Sequence, residues 1–336
     1  MPLSAARRRA GSTSRAASAP ARGTGDILVY HPDDGPAYAR LIARPRGARG
    51  LAVRACRTPA EAEPWLDRAE ILYGWGFPIP FLARMPRLRW IQNMGAGVER
   101  LLVPELPAGV RLTRVAGIFG PWMAEYTLGW CLWVTQRVEH FRAEQRARSW
   151  KPVDPLRLRG RTLCVVGLGD IGRTVARAAR GFDMRVVGVS RSGRPAREAH
   201  RVVRTAALAR VLRDADFAVV TVPLTAASRG LVGARELAAM KPTGWLINIA
   251  RGPVVDEGAL LRALRAGAIG GAVLDVFAEE PLPPTHPFWA LDNVVVTPHI
   301  SGPSTPAEIG PIFDDNLRRY LAGRPLRHIA DRRRGY

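Results

Sequence analysis

Three ionisable residues, Arg251, Glu280 and His299, each come soon after a short apolar run of the kind that forms a buried strand. A histidine oriented by a carboxylate, with a guanidinium nearby, suits proton transfer at a carbonyl group that neighbours a carboxylate. Parallel strands bring their carboxyl ends to one edge of a sheet, so these side chains are candidates for one catalytic site. Their spacing alone also allows three separate surface positions. Glu279 is adjacent to Glu280, and the place directly before Pro281 favours Glu280.

A glycine pattern, G-x-G-x-x-G, occupies Gly167, Gly169 and Gly172. It follows an apolar run and opens an amphipathic segment, the context in which the pattern indicates dinucleotide binding. Gly167 permits a tight turn, Gly169 lets the backbone approach a pyrophosphate, and Gly172 lets the helix pack on its strand. Amides of the first helical turn then face the phosphate charge. The sequence predicts a dinucleotide site here.

The segment expected to contact the adenosine ribose contains no carboxylate, only hydroxyls and arginines from Ser190 to Arg194. An acidic residue there would bind ribose hydroxyls and repel a 2′-phosphate, whereas Arg191, with Arg194, would pair with that phosphate. We therefore expect NADP(H) to be preferred. NAD(H) remains possible, because both residues can also be two of the chain's many solvated arginines.

The surrounding elements alternate between strand and helix patterns, which predicts parallel sheets with right-handed crossovers. In the first part we predict a helix over 59–69 and strands over 27–30, 51–53, 71–73, 88–94 and 110–115. A long, largely apolar helix is expected over 121–148. A second alternation then predicts strands over 162–167, 185–189, 217–222, 245–249, 272–276 and 294–297. Six strands with crossovers indicate a doubly wound sheet.

The chain of 336 residues is 47% hydrophobic and 24% charged, a balance that favours two globular domains. It contains no run of about 18 apolar residues, so we expect no membrane-spanning helix. The net charge of +21 comes almost entirely from arginine, with lysine only at Lys151 and Lys241. The dense arginine clusters, at 7–9 and 332–334, lack interleaved aromatics or a recognition motif. We therefore favour solvated arginines over a nucleic-acid surface.

Residues 1–25 contain almost no large apolar side chain, which predicts a disordered basic tail. Its arginines and lack of acids allow a targeting segment, a terminal extension or a misplaced start. The three cysteines, Cys56, Cys131 and Cys164, are far apart and have no C-x-x-C spacing. We expect no disulfide and no metal site, and a cytoplasmic location.

These motifs resemble the D-isomer-specific 2-hydroxyacid dehydrogenase family, over a region from about Gly74 to Arg319. The resemblance rests on five motifs: 95–99, 166–172, 248–252, 274–282 and 297–302. The first of these ends in Glu99, where the family usually has Asp. Ser190-Arg191-Ser192, Trp150-Lys151-Pro152 and Trp75 resemble the NADPH-dependent glyoxylate/hydroxypyruvate reductase branch.

The resemblance implies a role for each candidate catalytic residue. His299 would protonate the carbonyl oxygen as hydride arrives, and Glu280 would hold the other ring nitrogen. Arg251 would bind the carboxylate of the 2-oxo acid and polarise its carbonyl. Backbone amides at Ala96 and Gly97 would share that charge, and Trp75 would limit the size of the substrate side chain.

Further site residues follow from the same resemblance. The implied substrate set is Trp75, Gly95, Ala96, Gly97, Arg251 and His299. The implied cofactor set is Met123, Gly167, Gly169, Asp170, Ile171, Gly172, Ser190, Arg191, Ser192, Thr221, Val222, Pro223, Ile249, Ala250, Arg251, Asp275, His299 and Gly302. From the residues alone, Asp275 can instead cap a loop, and Trp75 can instead be a core residue.

The implied fold is α/β with two lobes, a Rossmann doubly wound parallel sheet and a smaller flavodoxin-like substrate domain. We expect a substrate domain over 26–120 and 300–336, and a dinucleotide domain over 121–299 that includes a linking and dimerisation helix at 121–148. The implied activity is NADPH-dependent reduction of a small 2-oxo acid to the D-2-hydroxy acid by a homodimer. Two alternatives remain: an NAD-linked dehydrogenase for a bulkier acid, and a dinucleotide-sensing regulatory protein.

Overall fold

The computed structural model describes residues 24–43 and 50–336, and these form two parallel β-sheets. The predicted basic tail lies outside the described residues except for its last two positions, Thr24 and Gly25. Both of these donate backbone hydrogen bonds to the carboxylate of Glu70.

The first sheet has five parallel strands: β1 (Asp26–Tyr30), β2 (Val53–Cys56), β3 (Ala69–Gly74), β4 (Trp90–Asn93) and β5 (Arg111–Thr113). Their order, β2-β1-β3-β4-β5, is that of a flavodoxin-like sheet and confirms the predicted fold of the smaller lobe. Two short helices lie among these strands, α1 (Gly35–Arg40) and α2 (Pro59–Ala62). The helix expected over 59–69 is shorter, because the chain tightens into a 3-10 turn at Glu63–Trp65.

The second sheet has seven parallel strands: β6 (Thr162–Val166), β7 (Arg185–Ser190), β8 (Arg201–Arg204), β9 (Phe217–Val220), β10 (Trp245–Asn248), β11 (Gly271–Leu274) and β12 (Val294–Val296). The order β12-β11-β10-β9-β6-β7-β8 confirms the doubly wound sheet. β8 was not predicted, because this short edge strand is mostly exposed and starts and ends on arginine.

Helices cover both faces of the second sheet: α5 (Asp170–Gly181), α6 (Leu208–Leu212), α7 (Ala234–Ala238) and α8 (Glu257–Arg265). From β6 the chain runs outward to β7 and β8, and then returns to place β9 on the other side of β6. The strand order reverses between β6 and β9. A crevice for a ligand is expected at the carboxyl ends of these two strands.

The helix predicted over 121–148 is two helices, α3 (Phe119–Thr135) and α4 (Val138–Arg146). The interruption falls at Gln136 and Arg137, and Arg137 has a left-handed backbone with a φ of 56°. A distant segment satisfies the end of α3, where the Thr135 carbonyl accepts a hydrogen bond from the Leu156 amide (2.7 Å). The Gln136 side chain in turn donates to the Leu156 carbonyl (3.0 Å).

The chain returns to the first sheet through α9 (Pro306–Leu321). Phe313 on this helix stacks on Tyr73 of β3 at 4.1 Å between ring centroids, and on Trp90 of β4 at 5.3 Å. These buried aromatic rings join the returning segment to the core of the first lobe. Among the described residues, no helix is both long and apolar enough to cross a membrane.

Candidate active site

The structure brings His299 and Glu280 together at the edge of the second sheet. His299 Nδ1 lies 2.9 Å from Glu280 Oε2, and the other carboxylate oxygen accepts a hydrogen bond from the Phe277 amide (2.9 Å). Because Nδ1 is occupied by the carboxylate, Nε2 is the ring nitrogen left for a ligand. No described contact links Glu279 to His299, whereas Glu280 contacts it directly, which agrees with the choice of Glu280.

The surroundings of Glu280 keep its carboxylate ionised. Burial raises the pKa of Glu280, but the hydrogen bonds from His299 and the Phe277 amide, with the charges of His299 and Arg251, outweigh that effect. The pKa of Glu280 therefore lies below its ordinary value. A carboxylate that is charged at neutral pH is suited to orient an imidazole and to stabilise its protonated form.

Asp275 holds the loop that carries His299. Its buried carboxylate accepts hydrogen bonds from the amides of Ile300 and Ser301 (both 2.8 Å) and from the Thr297 hydroxyl (2.6 Å). The His299 amide donates to the Asp275 carbonyl (2.9 Å), and His299 adopts a left-handed backbone with a φ of 54°. Such a backbone is costly for a non-glycine residue, and this set of hydrogen bonds maintains it.

Arg251 reaches across the cleft to the first lobe. It follows β10, and the Asn248 side chain shapes its turn by donating to the Arg251 carbonyl (3.2 Å) and accepting from the Ala250 amide (3.1 Å). Arg251 Nε lies 2.5 Å from Glu99 Oε1, and Nη1 donates to the Ala250 carbonyl (2.6 Å). A Cβ atom added to Gly97 would overlap Arg251 Nη2, so the guanidinium lies directly against the predicted substrate loop.

Asn93 and Trp75 shape that loop, which contains Gly95, Ala96 and Gly97. The buried Asn93 side chain donates to the carbonyls of Gly95 (3.1 Å) and Gly97 (2.7 Å). The Trp75 ring packs so closely on Gly95 that a Cβ atom there would overlap it. Trp75 is 40% exposed, so the alternative that placed it in the core is wrong. Its ring instead forms a wall beside the glycine loop.

The crevice between β6 and β9 has a backbone that suits a pyrophosphate. Gly167 has a φ of 105°, a left-handed conformation that favours glycine. A Cβ atom at Gly172 would overlap the Gly167 carbonyl oxygen, whereas one at Gly169 would have nothing within 4 Å. Gly172 thus allows close packing of α5, and Gly169 leaves open space at the helix start, where amide groups lack acceptors within the helix. Thr221 fixes the turn by donating to the Gly167 carbonyl (2.8 Å). These residues fit a dinucleotide.

The start of α5 also contacts the connection between the lobes. The Asp170 carboxylate accepts a hydrogen bond from the Gly117 amide (2.9 Å), and Ile171 packs against the cores of both lobes. Met123 on α3 lies beside Gly302, where its Cγ would be 3.4 Å from an added Cβ atom. Four of the predicted residues therefore line the boundary between the lobes: Met123, Asp170, Ile171 and Gly302.

The hydroxyls after β7 build the turn that presents the arginines. The Ser190 hydroxyl accepts from the Gly193 amide (3.1 Å), and the Ser192 hydroxyl accepts from the Arg194 amide (3.3 Å). Arg191 and Arg194 are exposed, and Arg191 Nη2 donates to the Tyr336 hydroxyl (2.8 Å). The remaining predicted cofactor residues follow the ends of β9 and β10: Val222, Pro223, Ile249 and Ala250.

Sequence reasoning missed two contacts at this site. Glu99 was seen only as the last residue of a motif, and its ion pair with Arg251 was not predicted. Tyr336 was not singled out at all. An acid at the end of a glycine-rich substrate loop is a usable signal for the first contact, whereas no local pattern marks the second.

The three cysteines are buried and unpaired. Burial raises the pKa of Cys56 to about 11 and that of Cys164 to about 12, and it also raises the pKa of Cys131. Since the thiolate is the reactive form, none of these thiols is suited to nucleophilic chemistry at neutral pH.

Comparisons with known proteins point to one family. Residues 128–301 match the family model for the NAD-binding domain of D-isomer specific 2-hydroxyacid dehydrogenases. A glyoxylate reductase from Aeropyrum pernix is 36% identical over 263 residues, which cover 75% of this chain and 78% of that protein. Glyoxylate/hydroxypyruvate reductase A from Serratia proteamaculans is 30% identical over 320 residues, which cover 93% and 100% of the two chains.

A solved structure is similar over nearly the whole length. It is a D-isomer specific 2-hydroxyacid dehydrogenase from Xanthobacter autotrophicus in complex with NADPH and MES. The TM-score is 0.83 at 34% sequence identity, and the match covers 93% of this chain and 100% of that chain.

Proposed function

Because this chain belongs to the D-isomer-specific 2-hydroxyacid dehydrogenase family, we propose that it reduces a small 2-oxo acid of the glyoxylate or hydroxypyruvate type with NADPH. The family makes it an NAD(P)-dependent oxidoreductase. The observation that carries the proposal is the meeting of the His299–Glu280 pair with Arg251 at a cleft lined by a substrate loop. The product is the D-2-hydroxy acid.

A reduced nicotinamide bound in the crevice supplies the hydride for the carbonyl carbon. His299 donates the proton from Nε2 to the carbonyl oxygen, and Glu280 holds Nδ1 and stabilises the ring in its charged form before transfer. The Asp275 hydrogen bonds keep the histidine loop in place while the proton moves. After product release, His299 takes up a proton from water.

Arg251 binds the substrate carboxylate and polarises the neighbouring carbonyl. Its guanidinium already contacts a carboxylate, that of Glu99, which supports its assignment as the residue that binds the substrate carboxylate. By the family resemblance, the backbone amides at Ala96 and Gly97 would share the charge of the substrate carboxylate. The Trp75 ring packs against Gly95 of the substrate loop, where it would limit the size of the substrate side chain and favour two- and three-carbon acids.

The preference for NADPH is supported by Arg191 at the end of β7. The turn from Ser190 to Arg194 contains two arginines and no acidic residue. A 2′-phosphate would therefore be attracted by guanidinium groups there and would not be repelled by a carboxylate. We expect kcat/KM with NADPH to exceed kcat/KM with NADH. Equal or better use of NADH would overturn this part of the proposal.

The decisive experiment for the activity is a panel of 2-oxo acids, with oxidation of NADPH followed by absorbance. Turnover of glyoxylate or hydroxypyruvate is expected, and branched or aromatic 2-oxo acids should be poor substrates. The His299→Ala variant should lose about 10²–10⁴ in kcat, the contribution of a general acid. A folded protein that oxidises neither reduced nucleotide, or an unchanged kcat in this variant, contradicts the proposal.

The proposal includes a homodimer formed through α3. One face of this helix packs on its own lobe, whereas Trp122 is 43% exposed on the other face. Gly129 lies on the exposed face, and a Cβ atom there would meet nothing within 4 Å, so we expect the single chain to fold with a Gly129→Arg change. Light scattering should detect a dimer for the parent protein and a monomer for this variant. A monomeric parent protein would refute the assembly.

A further inference from the structure

The segment from Arg327 to Tyr336 crosses from the first lobe to the cofactor lobe. It begins as a short antiparallel addition to β5, in which Ile329 pairs with Thr113. The Ala330 amide donates to the Leu112 carbonyl (2.8 Å), and the Arg114 amide donates to the His328 carbonyl (3.1 Å). The segment therefore starts as part of the substrate lobe.

Its last residues, Asp331–Tyr336, form a closed turn. The Asp331 amide donates to the main-chain oxygen of Tyr336 (2.9 Å), and the Asp331 carboxylate accepts from the amides of Arg333 (2.9 Å) and Arg334 (3.1 Å). These bonds fix the position of Tyr336 relative to Asp331.

The turn is anchored to the first lobe through Arg332. The Arg332 guanidinium donates to three carbonyl oxygens that precede β5: those of Leu106 (3.3 Å), Pro107 (2.8 Å) and Val110 (2.6 Å). A guanidinium with three acceptors holds one conformation. The substrate lobe thus presents Tyr336 from a rigid base.

Tyr336 meets the cofactor lobe at the ends of two strands. Its hydroxyl accepts a hydrogen bond from Arg191 Nη2 (2.8 Å), and its ring centroid lies 5.9 Å from the Arg191 guanidinium carbon. Gly335 packs beside Thr225 in the loop after β9. The ends of these strands flank the crevice where the adenosine part of a dinucleotide binds in this fold.

We propose that Tyr336 is a cofactor-selecting residue, which acts with Arg191 to bind the 2′-phosphate of NADP(H). This inference rests on the proposed NADPH preference and extends it to a residue of the substrate lobe. The tyrosine oxygen accepts from Arg191, so its O–H remains available to donate to a phosphate oxygen. Arg191 keeps further N–H donors for the same phosphate, and its contact with Tyr336 orders the long side chain before binding.

The test compares the binding of NADPH and NADH to the Tyr336→Phe variant, with nicotinamide fluorescence as the measurement. Loss of one hydrogen bond to phosphate should raise the Kd for NADPH about three- to tenfold and leave the Kd for NADH unchanged. The Kd for adenosine 2′,5′-bisphosphate should rise by a similar factor to the Kd for NADPH. The thermal midpoint of unfolding checks that the variant is folded.

Two further variants give matched controls. Arg333 is exposed beside the anchor, and no described contact involves its side chain, so Arg333→Ala should change neither Kd. Arg332→Ala releases the anchor and should reproduce the effect of Tyr336→Phe. In the Arg191→Ala background, Tyr336→Phe should cost no further NADPH affinity, because the two residues act as one unit.

The outcomes separate this inference from the cofactor preference itself. If Arg191→Ala leaves the ratio of the Kd for NADPH to the Kd for NADH unchanged, the proposed NADPH site is wrong. The role of Tyr336 is then refuted as well. If Arg191→Ala weakens NADPH selectively but Tyr336→Phe changes neither Kd, or both equally, only the role of Tyr336 is refuted.

Discussion

Arg251 of the cofactor lobe and Glu99 of the substrate lobe form an ion pair across the cleft, with 2.5 Å between Nε and Oε1. Both side chains are about three-quarters buried, at 24% and 25% exposure. The Glu99 carboxylate is bound to the Arg251 guanidinium, the group that we propose binds the substrate carboxylate. In the proposed reaction the two carboxylates therefore compete for one guanidinium.

A Glu99→Gln change tests this competition. The neutral amide keeps the shape of the side chain but releases the Arg251 charge, so KM for the 2-oxo acid should fall by up to about fivefold, the equivalent of about 1 kcal/mol. The kcat value should change little. The control is Glu105→Gln, which removes an exposed carboxylate from the same lobe. A rise in KM would mean instead that Glu99 holds Arg251 in its productive position.

The lowered pKa of Glu280 gives a pH-dependent expectation. In the unfolded chain this carboxyl returns to its ordinary pKa of 4.5, whereas in the folded chain the pKa lies lower. The ionised group therefore stabilises the fold above its ordinary pKa, and this contribution is lost as pH falls through the lowered value. The difference in unfolding free energy between the parent protein and the Glu280→Gln variant should be largest near neutral pH and shrink on acidification.

Denaturant titrations at several pH values measure this difference, with Glu279→Gln as the matched control. The Glu280→Gln variant should also lower kcat, because a neutral amide does not stabilise a charged imidazole. A stability difference that is independent of pH would show that the carboxylate charge is not what the fold uses at this position.

Two glycines of the cofactor loop are expected to have different roles: Gly169 in cofactor binding and Gly172 in packing of the fold. Gly169→Ala places its methyl group in open space, so the thermal midpoint should stay unchanged while cofactor Kd rises by about tenfold, or about 1.4 kcal/mol. Gly172→Ala forces a methyl group onto the Gly167 carbonyl and should destabilise the fold by about 1–3 kcal/mol. Calorimetry of unfolding measures the effect on stability, and calorimetry of cofactor binding measures the effect on Kd. Equal loss of stability in both variants would contradict the different roles of Gly169 and Gly172.

Asp275→Asn should weaken both the fold and the reaction. The carboxylate accepts three hydrogen bonds, and an amide presents an N–H group to one of those donors, at a cost of about 1–3 kcal/mol. The strained His299 backbone loses its support, so kcat should fall as well. Asp292→Asn, at an exposed position, serves as the control. Full activity with an unchanged unfolding midpoint would argue against Asp275 as the residue that positions His299.

Local patterns were sufficient for the fold class and for naming candidate residues that the fold brings to one cleft. Gly167, Gly169 and Gly172 are informative because a tight turn and a close helix restrict the residue types that fit. Apolar runs identify buried strands, and residues just after them fall at one sheet edge by topology. That is why Arg251, Glu280 and His299 could be named together from the sequence.

The break between α3 and α4, the pairing of Glu99 with Arg251 and the contact of Tyr336 with Arg191 were decided only by the tertiary structure. The last two join residues 152 and 145 positions apart. At the end of α3 the Thr135 carbonyl accepts a hydrogen bond from the distant Leu156 amide, and Arg137 turns the chain with a left-handed backbone. Each of these contacts joins segments that are distant in the sequence, and no periodicity or motif within either segment predicts the contact.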